Sequence, residues 1–245
     1  MTRYYCSGFD INNPFGHGLS EMFQSELKNT ESIVYIPGGI EKIEKTKTKY
    51  IPYFTEHFKN AGIEFEKVNL ITPELPKEQA VNMVNEASFI MLMGGNPLIQ
   101  KQICENLQIT DALKHHEGIM LGFSAGAMLM SKHIIITPCS EEYPDFQIEE
   151  GLNLDGISVF PHNNTSRKAY PDELISGDET YQKADLIQVA KRYGNFYLLQ
   201  DHLRENGLTD ISLIKSSSGK IEFYTENEGK IWQACNNDVV LYYPL

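Results

Sequence analysis

The residues of this chain best suited to chemistry are a serine, a histidine and an aspartate, each set in its own short motif. Gly122-Phe123-Ser124-Ala125-Gly126 is a GxSxG pentapeptide between an apolar run, GIMLG, and a helical one, AGAMLMSKH. Strand, small residues and helix in that order are what a nucleophile elbow needs, because its serine sits on a sharp turn that admits only small neighbours. The helix N-terminus beneath Ser124 favours developing negative charge, and the Ala125 N–H is expected to donate to an oxyanion. A serine nucleophile also needs a base. His162 follows the strand-like run Gly156 to Phe160, whereas His202 follows the apolar run Phe196 to Leu199. Asp201 ends that second run and is suited to orient an imidazolium as the third member of a triad. This pattern favours His162 as base with Asp201 as partner, and leaves His202 as the competitor. His115, His116 and His133 fall near expected helix ends, where they would be solvated or face the macrodipole. Gly94-Gly95 closes the preceding strand, so the Gly95 N–H is a candidate for the second oxyanion donor.

All of these residues must reach one rim of one scaffold. The apolar runs Ser32 to Pro37, Ser88 to Met93 and Gly118 to Phe123 read as strands buried on both faces of a parallel sheet. Ile51, Phe54 and Phe58 recur at helical spacing, with Pro52 either kinking that helix or delaying its start. Asn96-Pro97 is a helix entry, Asn as N-cap and Pro at the first position, with Ile99, Ile103 and Leu107 along one face. A further helix is expected from Glu179 to Tyr193, capped by Asp178 and stopped by Gly194. Beyond Gly194 the texture turns to strands: Asn195 to Leu199, Asp210 to Ile214, Lys220 to Tyr224 and Val239 to Tyr243. The expected fold is α/β, a mostly parallel, helix-flanked sheet with C-terminal antiparallel strands that extend or cover it. No repeat or composition shift marks a boundary, so residues 1–245 are expected to form a single domain.

Composition narrows the function. The chain has 245 residues, 41% hydrophobic and 22% charged, with 18 Gly and 11 Pro, which excludes disordered, collagenous and coiled-coil classes. The 21 basic and 33 acidic residues leave a net charge of -12. That balance repels phosphate backbones and anionic lipid, so neither nucleic acid nor membrane is an expected partner. Cys6, Cys104, Cys139 and Cys235 contain no CxxC pair, so neither a zinc site nor a disulfide framework is expected. The start, MTRYYCSGFD, has no apolar signal region, and no uncharged run approaches the ~20 residues that cross a bilayer. A reducing, cytoplasmic setting fits.

The combination of MGGN (Met93 to Asn96), GFSAG (Gly122 to Gly126), FPHNN (Phe160 to Asn164) and LLQDH (Leu198 to His202) resembles the peptidase E family of serine peptidases, the dipeptidase E and cyanophycinase group. The resemblance spans roughly residues 32 to 205. It implies a fold similar to class I glutamine amidotransferases and a triad of Ser124, His162 and Asp201, an order unlike the Ser, Asp, His of α/β-hydrolases. It also implies an oxyanion hole at Gly95 and Ala125, Asn96 at the substrate's edge, and no metal or organic cofactor. The acidic motif reads Gln200-Asp201-His202 where the best-known members have Pro-Glu-Gly, and Met93 stands where the glycine run is often longer.

The implied activity is hydrolysis of short peptides, with an N-terminal aspartate preferred in dipeptidase E members. The partner is then a small peptide substrate, and a homodimer stays open. Arg167 and Lys168 are candidates to pair a substrate carboxylate, against the plainer role of solvated loop residues. The acidic segment from Pro138 to Glu150 reads as solvated surface; folded over the site it would disfavour anionic substrates. Two alternatives on the same fold are an amidotransferase-like enzyme, which would place Cys at the elbow, and a catalytically silent small-molecule-binding protein.

Overall fold

Side chains that alternate across a strand can all be apolar only when both sheet faces are covered, and the apolar runs meet that condition. The computed structural model describes residues 1–10, 12–138, 145–165, 173–176 and 179–244. In chain order the strands are β1 (Thr2–Cys6), β2 (Ser32–Gly38), β3 (Lys67–Leu70), β4 (Phe89–Gly95), β5 (Ile119–Phe123), β6 (His133–Ile136), β7 (Gln147–Glu150) and β8 (Val159–Phe160). They continue with β9 (Asn163–Thr165), β10 (Glu173–Ser176), β11 (Glu179–Gln182), β12 (Phe196–Leu199), β13 (Ile211–Ser217), β14 (Lys220–Glu226), β15 (Ile231–Ala234) and β16 (Val239–Tyr243).

Among the described residues the main sheet has the order β14-β13-β1-β5-β4-β2-β3. Its strands from β1 to β3 in that order run parallel, and β13 and β14 add to the β1 edge antiparallel. Alternation sorts the core cleanly. Tyr4, Cys6, Ile33, Tyr35, Phe89, Met91 and Leu121 face one side, with Phe23 of the helix Gly18–Glu26 and Phe54 and Phe58 of the helix Ile51–Asn60. Tyr5, Val34, Ile36, Ile90, Leu92 and Met120 face the other, with helices Lys77–Asn85, Pro97–Asn106, Thr110–His115 and Ala125–Met130.

The mostly parallel, helix-flanked expectation holds, with three corrections. Only β13 and β14 extend the main sheet; β15 and β16 join β12 and β8 in a separate sheet ordered β16-β15-β12-β8. That sheet has its own core, formed by Phe160, Phe196 and Leu198 against Leu186, Val189 and Ala190 of the helix Lys183–Tyr193. The helix expected from Glu179 begins only at Lys183, because Glu179–Gln182 pairs as β11 with β10. Its entry is a reciprocal cap between Gln182 and Asp185, Gly194 ends it, and Asp178 lies outside the described residues. Finally, β1 sits in the middle of the main sheet although Thr2 and Arg3 hide it from a hydropathy pattern. Arg3 is 4% exposed and is neutralised by Asp155 at 2.9 Å.

Two expected details are present. Asn96 Oδ1 accepts from the N–H groups of Leu98 and Ile99 at 2.9 and 3.2 Å, and Pro97 opens the helix. Pro52 lies in the first turn of its helix, directly after a π-helical turn, Thr46–Tyr50. The helix Ala125–Met130 packs so closely that a Cβ on Gly126 would stand 2.2 Å from the Leu92 carbonyl oxygen. Gly126→Ala therefore forces β4 and this helix apart, and should lower stability by about 1–3 kcal/mol, read from the urea unfolding midpoint. An unchanged midpoint would contradict this packing.

Candidate functional site

The main sheet presents the C-terminal ends of β1, β4 and β5 side by side, with Cys6 opposite Phe123 and Leu92 opposite Gly122. At the end of β5 the chain reverses into the helix Ala125–Met130 through Ser124, whose φ of 51° and ψ of -110° are strained for a residue with a Cβ. The turn survives because Gly122 lets the helix come close: a Cβ there would lie 2.6 Å from the Gly126 carbonyl carbon. The Ser124 N–H donates to the Cys6 carbonyl at 3.0 Å, which ties the elbow to β1.

His162 and Asp201 come from the other sheet. Strands β8 and β12 are parallel neighbours with Phe160 opposite Leu198, so the residues that follow them leave from one edge. The rim expected from the sequence is thus assembled from two sheets, a correction to the single shared edge. His162, itself at φ 59°, sets Nε2 2.6 Å from Ser124 Oγ and Nδ1 2.6 Å from Asp201 Oδ2. With a neutral imidazole, Ser124 Oγ–H donates to Nε2 and Nδ1–H donates to the carboxylate, which accepts only. The His162 side chain is 38% exposed and that of Asp201 10%. Burial pulls the His162 pKa down, and the hydrogen bond and charge of Asp201 more than offset it, leaving the ring above its ordinary 6.5.

The other sequence-derived residues divide. Gly94 lies against Ser124, where a Cβ would stand 3.6 Å from Ser124 Cβ, so Gly95 is one residue from that contact. Ala125 is the first residue of its helix, and an N–H there has no intrahelical acceptor. Asn96 is exposed at the same rim with its side-chain oxygen engaged as the cap. Arg167 and Lys168 lie outside the described residues, as does the stretch 139–144 of the acidic segment; Glu149 and Glu150 are exposed on β7. His202 contributes its carbonyl, which accepts from Asp210 N–H at 2.9 Å. His116 departs from expectation: it is 4% exposed rather than solvated, and burial pushes its pKa down to about 4.

Neither Cys6 nor Cys104 is suited to thiol chemistry. Cys6 is buried and its thiol is pushed well up by burial, and burial likewise pushes Cys104 up to about 12. Among the described residues no group of His, Cys, Asp and Glu side chains could hold a metal ion, and no helix is long and apolar enough to cross a membrane. Ser7 and Gly8, outside every motif above, also reach this site, through the His162 N–H and the Asp201 carboxylate. Their signal in the sequence is Tyr4-Tyr5-Cys6-Ser7-Gly8, an apolar run ending in two small turn-forming residues.

A helix-flanked, mostly parallel sheet carrying a serine at a strand-to-helix elbow is the arrangement of a serine hydrolase. The chain belongs to peptidase family S51, whose model matches residues 7–190, and it is a serine peptidase. No curated protein matches the chain significantly. Among solved structures, a peptidase from an acI-B1 Actinobacterium is similar at TM-score 0.54 and 17% identity, covering 98% of this chain and 96% of that one. A protein described as peptidase E from Listeria monocytogenes EGD-e is similar at TM-score 0.59 and 16% identity, covering 92% and 98%. These similarities extend to the fold.

The arrangement carries a titration test. Asp201→Asn removes the charge that raises His162 and leaves burial in control, so the His162 pKa should drop below 6.5. NMR titration of the ring reads this directly. A pKa unchanged in the variant would mean that Asp201 does not set the ring's basicity.

Proposed function

We propose that this protein hydrolyses short peptides by acyl transfer to Ser124. The observation that carries the reading is the unbroken series of 2.6 Å contacts from Ser124 Oγ to His162 Nε2 and from His162 Nδ1 to Asp201. His162 takes the Oγ proton as Ser124 attacks the scissile carbonyl, then returns it to the leaving amine. Asp201 holds the tautomer and stabilises the imidazolium between those steps. The N–H groups of Gly95 and Ala125 receive the oxyanion, with the helix N-terminus behind Ala125 adding to the field. Water then enters by the same base and releases the acid. The reaction needs no metal or organic cofactor. Asn96, at the rim, is the residue we assign to the substrate's edge.

The substrates we favour are dipeptides, those with N-terminal Asp foremost. This rests on membership of the peptidase family and on the motif resemblance, and the acidic overall charge argues against it. Ser124→Ala should abolish peptide hydrolysis and covalent labelling by a fluorophosphonate; turnover that survives in the variant would overturn the mechanism. A dipeptide library varied at the N-terminal residue tests the substrate. Cleavage confined to Asp-Xaa peptides is expected, and equal cleavage across the library would remove the aspartyl preference while leaving the chemistry intact.

His162 must be neutral to act as base, and its pKa is raised. The rate constant kcat/KM should therefore fall on the acid side with a midpoint above 6.5, while the alkaline side stays flat through that ring's titration. A profile flat down to pH values well below this midpoint would exclude His162 as the base.

A further inference from the structure

The mechanism leaves one buried hydroxyl at the site unused. Ser7 follows directly on β1 and is 0% exposed. Its Oγ donates to the Leu199 carbonyl at 3.0 Å and accepts from the His162 N–H at 2.7 Å. Both directions are forced, because a carbonyl only accepts and an N–H only donates. One hydroxyl thus spans the segment that bears the base and the segment that bears the acid. The neighbouring Cys6 carbonyl holds the Ser124 N–H, so two consecutive residues at the end of β1 touch all three chain segments of the site. The next residue continues the pattern: a Cβ on Gly8 would meet Asp201 Oδ2 at 2.3 Å, so the carboxylate packs directly on this backbone.

Other buried serines fasten the same region, but to different segments. Ser212 Oγ donates to the Gln200 carbonyl at 2.6 Å, on the acid's segment. Ser131 Oγ donates to the Ala127 carbonyl at 2.9 Å and accepts from Val159 N–H at 3.1 Å, tying the helix after Ser124 to the start of β8 but reaching nothing on the acid's segment. Ser7 joins the two segments to each other and to the main sheet.

We propose that Ser7 is a positioning residue for catalysis, one that sets the alignment of His162 with both Ser124 and Asp201. The proposal rests on the triad reading above. Removing the hydroxyl leaves a buried N–H and a buried carbonyl without this partner, and the two segments then relax independently. A misplacement of about 1 Å at a reacting group costs on the order of 100-fold in rate.

The rate of fluorophosphonate labelling, followed across pH beside thermal unfolding, tests this without knowledge of the substrate. Ser7→Ala should label about tenfold or more slowly, with the acid-side midpoint moved to lower pH as the His162–Asp201 bond loosens. Ser32→Ala is the control. It removes a buried hydroxyl that donates to the Glu86 carbonyl at 3.0 Å, and it should lose Tm while keeping the labelling rate and midpoint. Labelling of Ser7→Ala at the native rate and midpoint overturns the proposal, and so does slow labelling with an unshifted midpoint, which is a general loss of order. Should Ser7→Ala not fold, Ser7→Cys keeps the shape with a weaker hydrogen-bonding group and is read by the same criteria. A Ser124→Ala protein that still labels would bring down the triad reading instead.

Discussion

Ser124 stands on one sheet and His162 and Asp201 on another, so the site depends on how firmly those sheets are locked together. A 2.6 Å contact between Ser124 and His162 is lost with small displacements, and apolar packing alone fixes neither distance nor direction to that degree. The lock is accordingly polar. Ser7 and Ser212 hold the segments after β8 and β12, and Asp155, on the connection leading into β8, accepts from Arg3, Tyr5 and Ser216 of the main sheet. Each of these bonds reaches from β1 or β13 to the part of the chain that carries the second sheet. The position of β1, between the elbow strand and the antiparallel edge, is what allows it to serve both sides.

Within that frame, electrostatics sets the basicity of His162. Burial works against a charged imidazole and Asp201 works for it, with Asp201 the stronger influence, so the ring is a better base than a free histidine. The same burial disables the nearby thiol of Cys6 and the remote ring of His116. Two imidazoles thus end with opposite shifts, because His162 has a carboxylate beside it while burial and the charge of Arg3 lower His116.

The elbow was legible because its demands are local. Gly122, Ala125 and Gly126 announce a close strand-to-helix turn, and the flanking runs supply strand and helix in order; Asn96-Pro97 is equally self-contained. His162 could be ranked above His202 only by pattern and resemblance, since both follow short apolar runs and neither run reveals the edge from which its histidine emerges. Arg3 concealed β1 because a charge compensated 152 positions away reads as exposed in sequence. The false helical start at Glu179 has a related cause: β11 exists through its pairing with β10, and that pairing outweighs the local preference.

The amino-acid sequence by itself determined the sharp turn at Ser124, the alternation that buries the main sheet on both faces, and the kinds of side chain available for acyl transfer. Those properties follow from sterics and periodicity over a few neighbouring residues. Only the tertiary structure decided that β8 and β12 leave the main sheet for one of their own, that His162 rather than His202 meets Ser124, and that Ser7 spans the segments carrying His162 and Asp201. Such facts depend on contacts between distant segments, from Ser124 with His162, 38 positions apart, to Ser7 with Leu199, 192 apart, whose geometry no local pattern encodes.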